Sequence, residues 1–293
     1  MSPLTTSEVR TPKALDIQHD TDPAKDHGPA KHIPHIGHAL LFFVIAWLCW
    51  SLCIITVFAA AHLHTEEQIK AHETLAMLCQ AVSYVMTLGL SYWLFPNLWE
   101  RRFGAGIEWN GLAPRRWWYW IVLGGAAMSG LSQFAQQFVS QPKSSPIEDI
   151  LRTTHGAWLM TAFGVLMAPL VEEIAFRGFL LPALAIAYDW LAMERTPAGL
   201  QKWQDSSLHS RAALIFAAIF SSVPFALMHV GQLEHAWGAL GILYCVSLVL
   251  SFVRIRTNSV AASVLMHATY NLTVFVVMFI GTDGYRHMEK LLH

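Results

Sequence analysis

Apolar residues fall in seven long runs separated by shorter polar stretches. The runs cover roughly 38–62, 72–96, 117–139, 156–190, 212–230, 235–253 and 259–281. A helix that crosses a bilayer needs about 20 mostly apolar residues, and each run meets or approaches that length. No period-two alternation competes with them, and no segment repeats another. The pattern predicts an all-α fold, a polytopic transmembrane helix bundle of about seven to eight spans. The fourth run is too long for one perpendicular helix. It tilts, begins outside the bilayer, or breaks near Pro169, whose ring removes a backbone donor. An eighth membrane element inside that run is the alternative.

The polar stretches divide the chain. Residues 1–36 are rich in Pro, Asp, Lys and His and predict a disordered tail. Residues 37–140 hold the first group of membrane helices. Residues 141–155, with Pro142 and Pro146, predict a loop. Residues 156–285 hold the remaining helices and the residues with chemical potential. Segment 191–211 is a second polar connection. The run Arg115-Arg116-Trp117-Trp118-Tyr119-Trp120 marks a membrane interface, where basic groups meet headgroups and indoles lie at their level.

Composition supports this reading. The chain is 54% hydrophobic and 13% charged, whereas soluble domains carry about 25% charged residues. A net charge of -1 gives no reason to expect a nucleic-acid partner. The four cysteines sit in apolar runs as small hydrophobes. Basic residues set the orientation. The N-terminal tail, loop 97–116, segment 191–211 and the pair Arg254 and Arg256 fall on one side. The other side holds only Lys70, Lys143, Arg152, Arg286 and Lys290. The positive-inside rule then puts the N-terminus in the cytoplasm.

Three of the runs carry groups that lipid-facing helices avoid. They are Glu172, Glu173 and Arg177 in the fourth run, His229 at the end of the fifth, and His267 with Asn271 in the seventh. An ionisable side chain at the bilayer centre costs about 2.5–3.5 kcal/mol on insertion scales, so these groups need one another, water, a ligand or a metal. Glu173 and Arg177 are four residues apart and pair on one helix face. Glu172 points about 100° away from Glu173. Phe225 lies one turn before His229. His267 and Asn271 also share a face. Each motif alone has a structural reading: an intramembrane ion pair, an ordinary terminal histidine, an interhelical hydrogen bond. Together they suit water activation. A carboxylate and an imidazole take a proton from water and return it to a leaving amine. A second histidine and an amide stabilise the developing oxyanion. Alternatively Glu172, His229 and His267 hold a divalent metal such as zinc with an open water position. No Gly-x-Ser-x-Gly nucleophile motif is present.

The three motifs, Glu-Glu-x-x-x-Arg, Phe-x-x-x-His and His-x-x-x-Asn, in this order and in apolar helices, resemble the CPBP intramembrane protease family. That family comprises the type II CAAX prenyl endopeptidases and the bacteriocin-processing or immunity (Abi) proteins. The resemblance covers roughly 155–281. It implies an intramembrane endopeptidase, glutamate-dependent or metal-dependent, acting on a membrane-associated protein or peptide. Eukaryotic members remove the last three residues of prenylated proteins. By position, Glu172 and His229 would activate water, His267 and Asn271 would form the oxyanion site, and Glu173 and Arg177 would support them. Two other readings stay open: a non-catalytic membrane protein serving immunity or partner binding, and a proton-coupled transporter. The missing repeat counts against the transporter.

Overall fold

The computed structural model describes residues 32–63, 65, 68, 72–140, 150–151, 153–206 and 208–288. Most of the tail expected over 1–36 and most of the loop expected over 141–155 lie outside the described residues. Among the described residues the chain is helical, with no strand. The helices are α1 (Ile36–Ala60), α2 (Glu73–Trp99), the short α3 (Phe103–Gly106), α4 (Leu112–Gln136), α5 (Thr154–Ala192), α6 (Pro197–Asp205), α7 (Arg211–Leu227), α8 (Trp237–Thr257) and α9 (Val260–Gly281).

Local chemistry sets several of these limits. Thr153 caps α5 by accepting from Gly156 N, and Ser210 and Ser259 cap α7 and α9 in the same way. Helix α8 stops at Asn258, which takes the left-handed conformation that asparagine tolerates. Thr196 caps α6, so the polar connection 191–211 contains a helix of its own.

All seven predicted runs are helices. Five of them, α1, α2, α5, α8 and α9, are long and apolar enough to cross a membrane. The other two fall short for different reasons. Helix α7 has 17 residues, about 25 Å at 1.5 Å each, against a hydrocarbon core of about 30 Å. Helix α4 is long enough, but it carries Arg115 and Arg116 at its start and turns Gly125, Ser129 and Ser132 inward.

Helix α5 passes through Pro169 without breaking. Two π-helical segments, Phe163–Met167 and Ile174–Leu180, interrupt its α-helical hydrogen bonding. At the end of each, a backbone N–H reaches five residues back: Ala168 to Phe163 O, and Leu181 to Phe176 O. The next residue is a proline each time, Pro169 and Pro182. Neither ring nitrogen can donate, so the carbonyls of Gly164 and Arg177 are left without an intrahelical donor. Side chains from other helices take both. Asn271 Nδ2 donates to Gly164 O at 2.6 Å, and Arg254 Nε donates to Arg177 O at 3.2 Å.

Two apolar clusters flank this helix. Phe42, Phe95, Trp99, Phe103 and Phe179 gather α1, α2 and α3 against it. Ile121, Met128, Leu250, Ala262, Met266 and Tyr270 join α4, α8 and α9. Helix α4 approaches α9 at backbone distance. A Cβ on Gly125 would lie 2.7 Å from Met266 O. We therefore expect Gly125→Leu to push the two helices apart and cost about 1–3 kcal/mol, read as a lower unfolding temperature in detergent. The displaced backbone adjoins His267, so turnover should fall as well. Unchanged melting would show that α4 does not pack here.

Candidate active site

The site begins with two carboxylates on adjacent residues of α5. Glu173 and Arg177 are both fully buried and paired, with Arg177 Nη1 donating to Glu173 Oε1 at 3.0 Å. The i,i+4 spacing predicted this pair. The same oxygen of Glu173 lies 2.9 Å from His267 Nδ1 on α9. A carboxylate facing an imidazole nitrogen at that distance fixes Nδ1 as the protonated nitrogen. The ring's other nitrogen, Nε2, then faces Glu172 Oε2 at 3.9 Å. That is too long for a direct hydrogen bond and short enough for one water to touch both. Glu172 is 8% exposed and His267 5%.

Arg177 is contacted from three sides, through Nη1, Nη2 and the face of its guanidinium. Its Nη2 donates to both the backbone oxygen and the hydroxyl of Ser247 on α8, each at 2.7 Å. Its guanidinium carbon lies 4.7 Å from the centre of the Phe225 ring, whose negative face favours a cation. Phe225 also meets Phe176 at 5.2 Å, His229 at 5.4 Å and His267 at 5.9 Å between ring centres. This phenyl ring fills the space between α5, α7 and α9, and it is the common neighbour of both histidines.

His229 follows the last turn of α7. Its Nδ1 lies 2.9 Å from Phe225 O. A carbonyl only accepts, so Nδ1 carries the proton. In the neutral ring Nε2 keeps its lone pair. The two histidines thus share one design: Nδ1 tied down, Nε2 available. Asn271 sits one turn beyond His267 and uses one N–H on Gly164 O. A carbonyl partner dictates which way that amide points.

Tied Nδ1 atoms with available Nε2 atoms also suit metal ligation. The separations do not. Among the described residues, no three His, Cys, Asp or Glu side chains stand close enough to share an ion. The set Glu172, His229 and His267 is therefore not a ready three-ligand centre.

Three contributors were missed at the sequence level. Ser247 reads as one more small residue in a membrane helix. Arg254 reads as a loop residue in the orientation count, yet it is 5% exposed. Its Nη2 pairs with Glu108 Oε2 at 2.6 Å. Gly164 carries no side-chain signal at all. One signal was available: Gly164 and Arg177 each stand five residues before a proline, Pro169 and Pro182.

Residues 154–273 match the family model described as Type II CAAX prenyl endopeptidase Rce1-like. Every residue of the cluster on α5, α7 and α9 lies inside that span. The chain matches no curated protein and no solved structure. The apolar helices make it an integral membrane protein. Over residues 154–273 the chain is similar to the CAAX-type endopeptidases of the CPBP intramembrane protease family.

Proposed function

We propose that this protein cleaves a peptide bond near the C-terminus of a prenylated, membrane-associated protein, using a water activated between Glu172 and His229. The observation that carries the reading is the chain Arg177–Glu173–His267, which presents His267 Nε2 to Glu172 across 3.9 Å in a buried interior. Glu172 has no ion pair with Arg177 in its own helix and remains available as a base. In this mechanism, the Glu172 carboxylate or His229 Nε2 takes a proton from water. The hydroxide attacks the scissile carbonyl carbon, and the carbonyl oxygen becomes an oxyanion. His267 donates to that oxygen from Nε2, which requires protons on both of its nitrogens, since Nδ1 already serves Glu173. Asn271 adds its second N–H. The captured proton passes to the leaving amine as the C–N bond breaks.

The catalytic part in this reading is 156–285, with α1 to α4 as its scaffold. The N-terminal side faces the cytoplasm. His267 lies seven residues after Val260, about 10 Å below the α8–α9 turn at 1.5 Å per residue. That turn stands on the side richer in Lys and Arg, which suits a substrate presented from the cytosol.

The test uses purified protein in detergent and a farnesylated peptide with a CAAX-type ending, with the released C-terminal tripeptide detected by mass spectrometry. His229→Ala should lower turnover by about 10²–10⁴-fold and leave KM nearly unchanged. Equal release by wild type and variant would remove His229 from the mechanism. Release that stops with a chelator and returns with zinc would favour a metal-bound water instead.

A further inference from the structure

We propose that Arg254 is a positioning residue for the active site, acting through the backbone of Arg177, and that Glu108 holds it in place. The proposal rests on the reading of Glu172, His229 and His267 given above. It concerns residues outside the three motifs.

The argument starts with one carbonyl. Leu181 N–H bypasses Arg177 O and bonds Phe176 O, and Pro182 has no N–H to offer. Arg177 is fully buried. Its oxygen therefore needs a donor from outside the helix, because buried backbone acceptors are rarely left unpaired. Arg254 Nε is that donor, at 3.2 Å. The other end of the same guanidinium meets Glu108 Oε2. Glu108 sits at φ 55°, in the left-handed region, and its own carbonyl accepts Val260 N at 3.2 Å. One planar fork thus spans a widened turn of α5 and a loop anchored to the start of α9.

What the fork holds is the chain Arg177–Glu173–His267. The side chain on the residue whose carbonyl Arg254 caps is the one that fixes Glu173 at 3.0 Å, and Glu173 fixes His267 at 2.9 Å. Without a donor for Arg177 O, the π-helical segment loses the contact that compensates its missing hydrogen bond. The α-helical alternative for this turn re-aims Arg177 and, through it, the imidazole. Asn271 on Gly164 O does the same for the earlier π-helical segment. Both widened turns of α5 are therefore locked by polar side chains of the later helices.

Lysine at 254 keeps the charge for Glu108 but loses the fork, so it cannot serve both partners in the same geometry. Arg254→Lys should lower kcat by about tenfold, with KM within about twofold. The decisive variant is the charge exchange Glu108→Arg with Arg254→Glu. It restores the ion pair but gives Arg177 O no donor from position 254. Its melting temperature should recover part of what Arg254→Glu alone loses, the rest being the cost of the unpaired Arg177 O, while kcat stays low. Recovery of kcat in the exchange would overturn the proposal, because an ion pair alone would then suffice. So would unchanged kcat in Arg254→Lys.

A second readout does not depend on cleavage. In detergent-solubilised protein with ¹⁵N-labelled histidine, Arg254→Lys should move the His267 ring resonances and leave those of surface histidines in place. Static His267 resonances would defeat the positioning role. Moved resonances in a protein that cleaves no farnesylated peptide, even as wild type, would keep the positioning role and reject the proposed substrate.

Discussion

Glu172→Ala is expected to abolish peptide cleavage without unfolding the protein. Removing a group that takes a proton in the transition state costs about 10²–10⁴-fold in rate. The loss should appear in kcat, with KM little changed. Helix content in detergent should survive, for a specific reason. Glu172 is buried beside Glu173, yet the Arg177 guanidinium is bound by Glu173 and Ser247. Removing the Glu172 carboxyl orphans no buried cation. Glu172→Gln keeps the shape and removes the base, so it should be as inactive as the alanine variant. Far-ultraviolet circular dichroism checks the fold and tripeptide release checks the chemistry. A Glu172→Gln protein that still cleaves at the wild-type rate would remove this residue from the mechanism. A Glu172→Gln protein that loses cleavage but keeps a biological effect would show a second, non-catalytic role of the scaffold.

The site was legible because membrane burial makes polar residues conspicuous. Glu172, Glu173, Arg177, His229, His267 and Asn271 stand out from apolar runs, and the i,i+4 rule already paired Glu173 with Arg177. The rule could not show which carboxylate would hold His267. Both are within reach of the ring, Glu173 through Nδ1 and Glu172 through Nε2. Nor could it show that Phe225 is the shared neighbour of two histidines and a guanidinium. Those relations depend on how α5, α7 and α9 turn their faces to one another, and no periodicity within one helix encodes that.

The helices were legible for the same reason, and their ends were not. Of the alternatives for the run 156–190, a break at Pro169 is the one excluded, because the helix stays continuous over Thr154–Ala192. The proline is accommodated by moving the hydrogen-bond pattern from four residues to five just before it. The carbonyl left over is bonded by Asn271 more than one hundred residues later. Arg254 was misplaced by similar logic. A basic residue near the end of an apolar run reads as a loop residue, because burial of a guanidinium is costly. Here Arg177 O and Glu108 meet that cost. A local reading assigns such groups to solvent when their partners lie in other helices.

Arg177→Met should destabilise the protein more than any substitution at the water-activating residues. The side chains of Arg177 and Glu173 are both at 0% exposure. Removing one partner of a buried pair costs about 3–5 kcal/mol, because the other charge stays behind without compensation. Glu173 would keep only His267 as a cationic partner, and Ser247 O and Oγ would lose their donor. The double variant Glu173→Leu with Arg177→Met separates stability from function. Replacing both members of a buried pair by apolar groups is often neutral or stabilising, so its melting temperature should recover most of the loss. Cleavage should not recover, because His267 Nδ1 has lost the carboxylate that sets its tautomer and aim. Melting and turnover measured on the same preparations give the two quantities. If the double variant regains both, the ion pair serves the fold alone and the imidazole is oriented by something else. If Arg177→Met melts like wild type, Glu173 is not charged in the folded protein, and the link from α5 to His267 must be a neutral hydrogen bond.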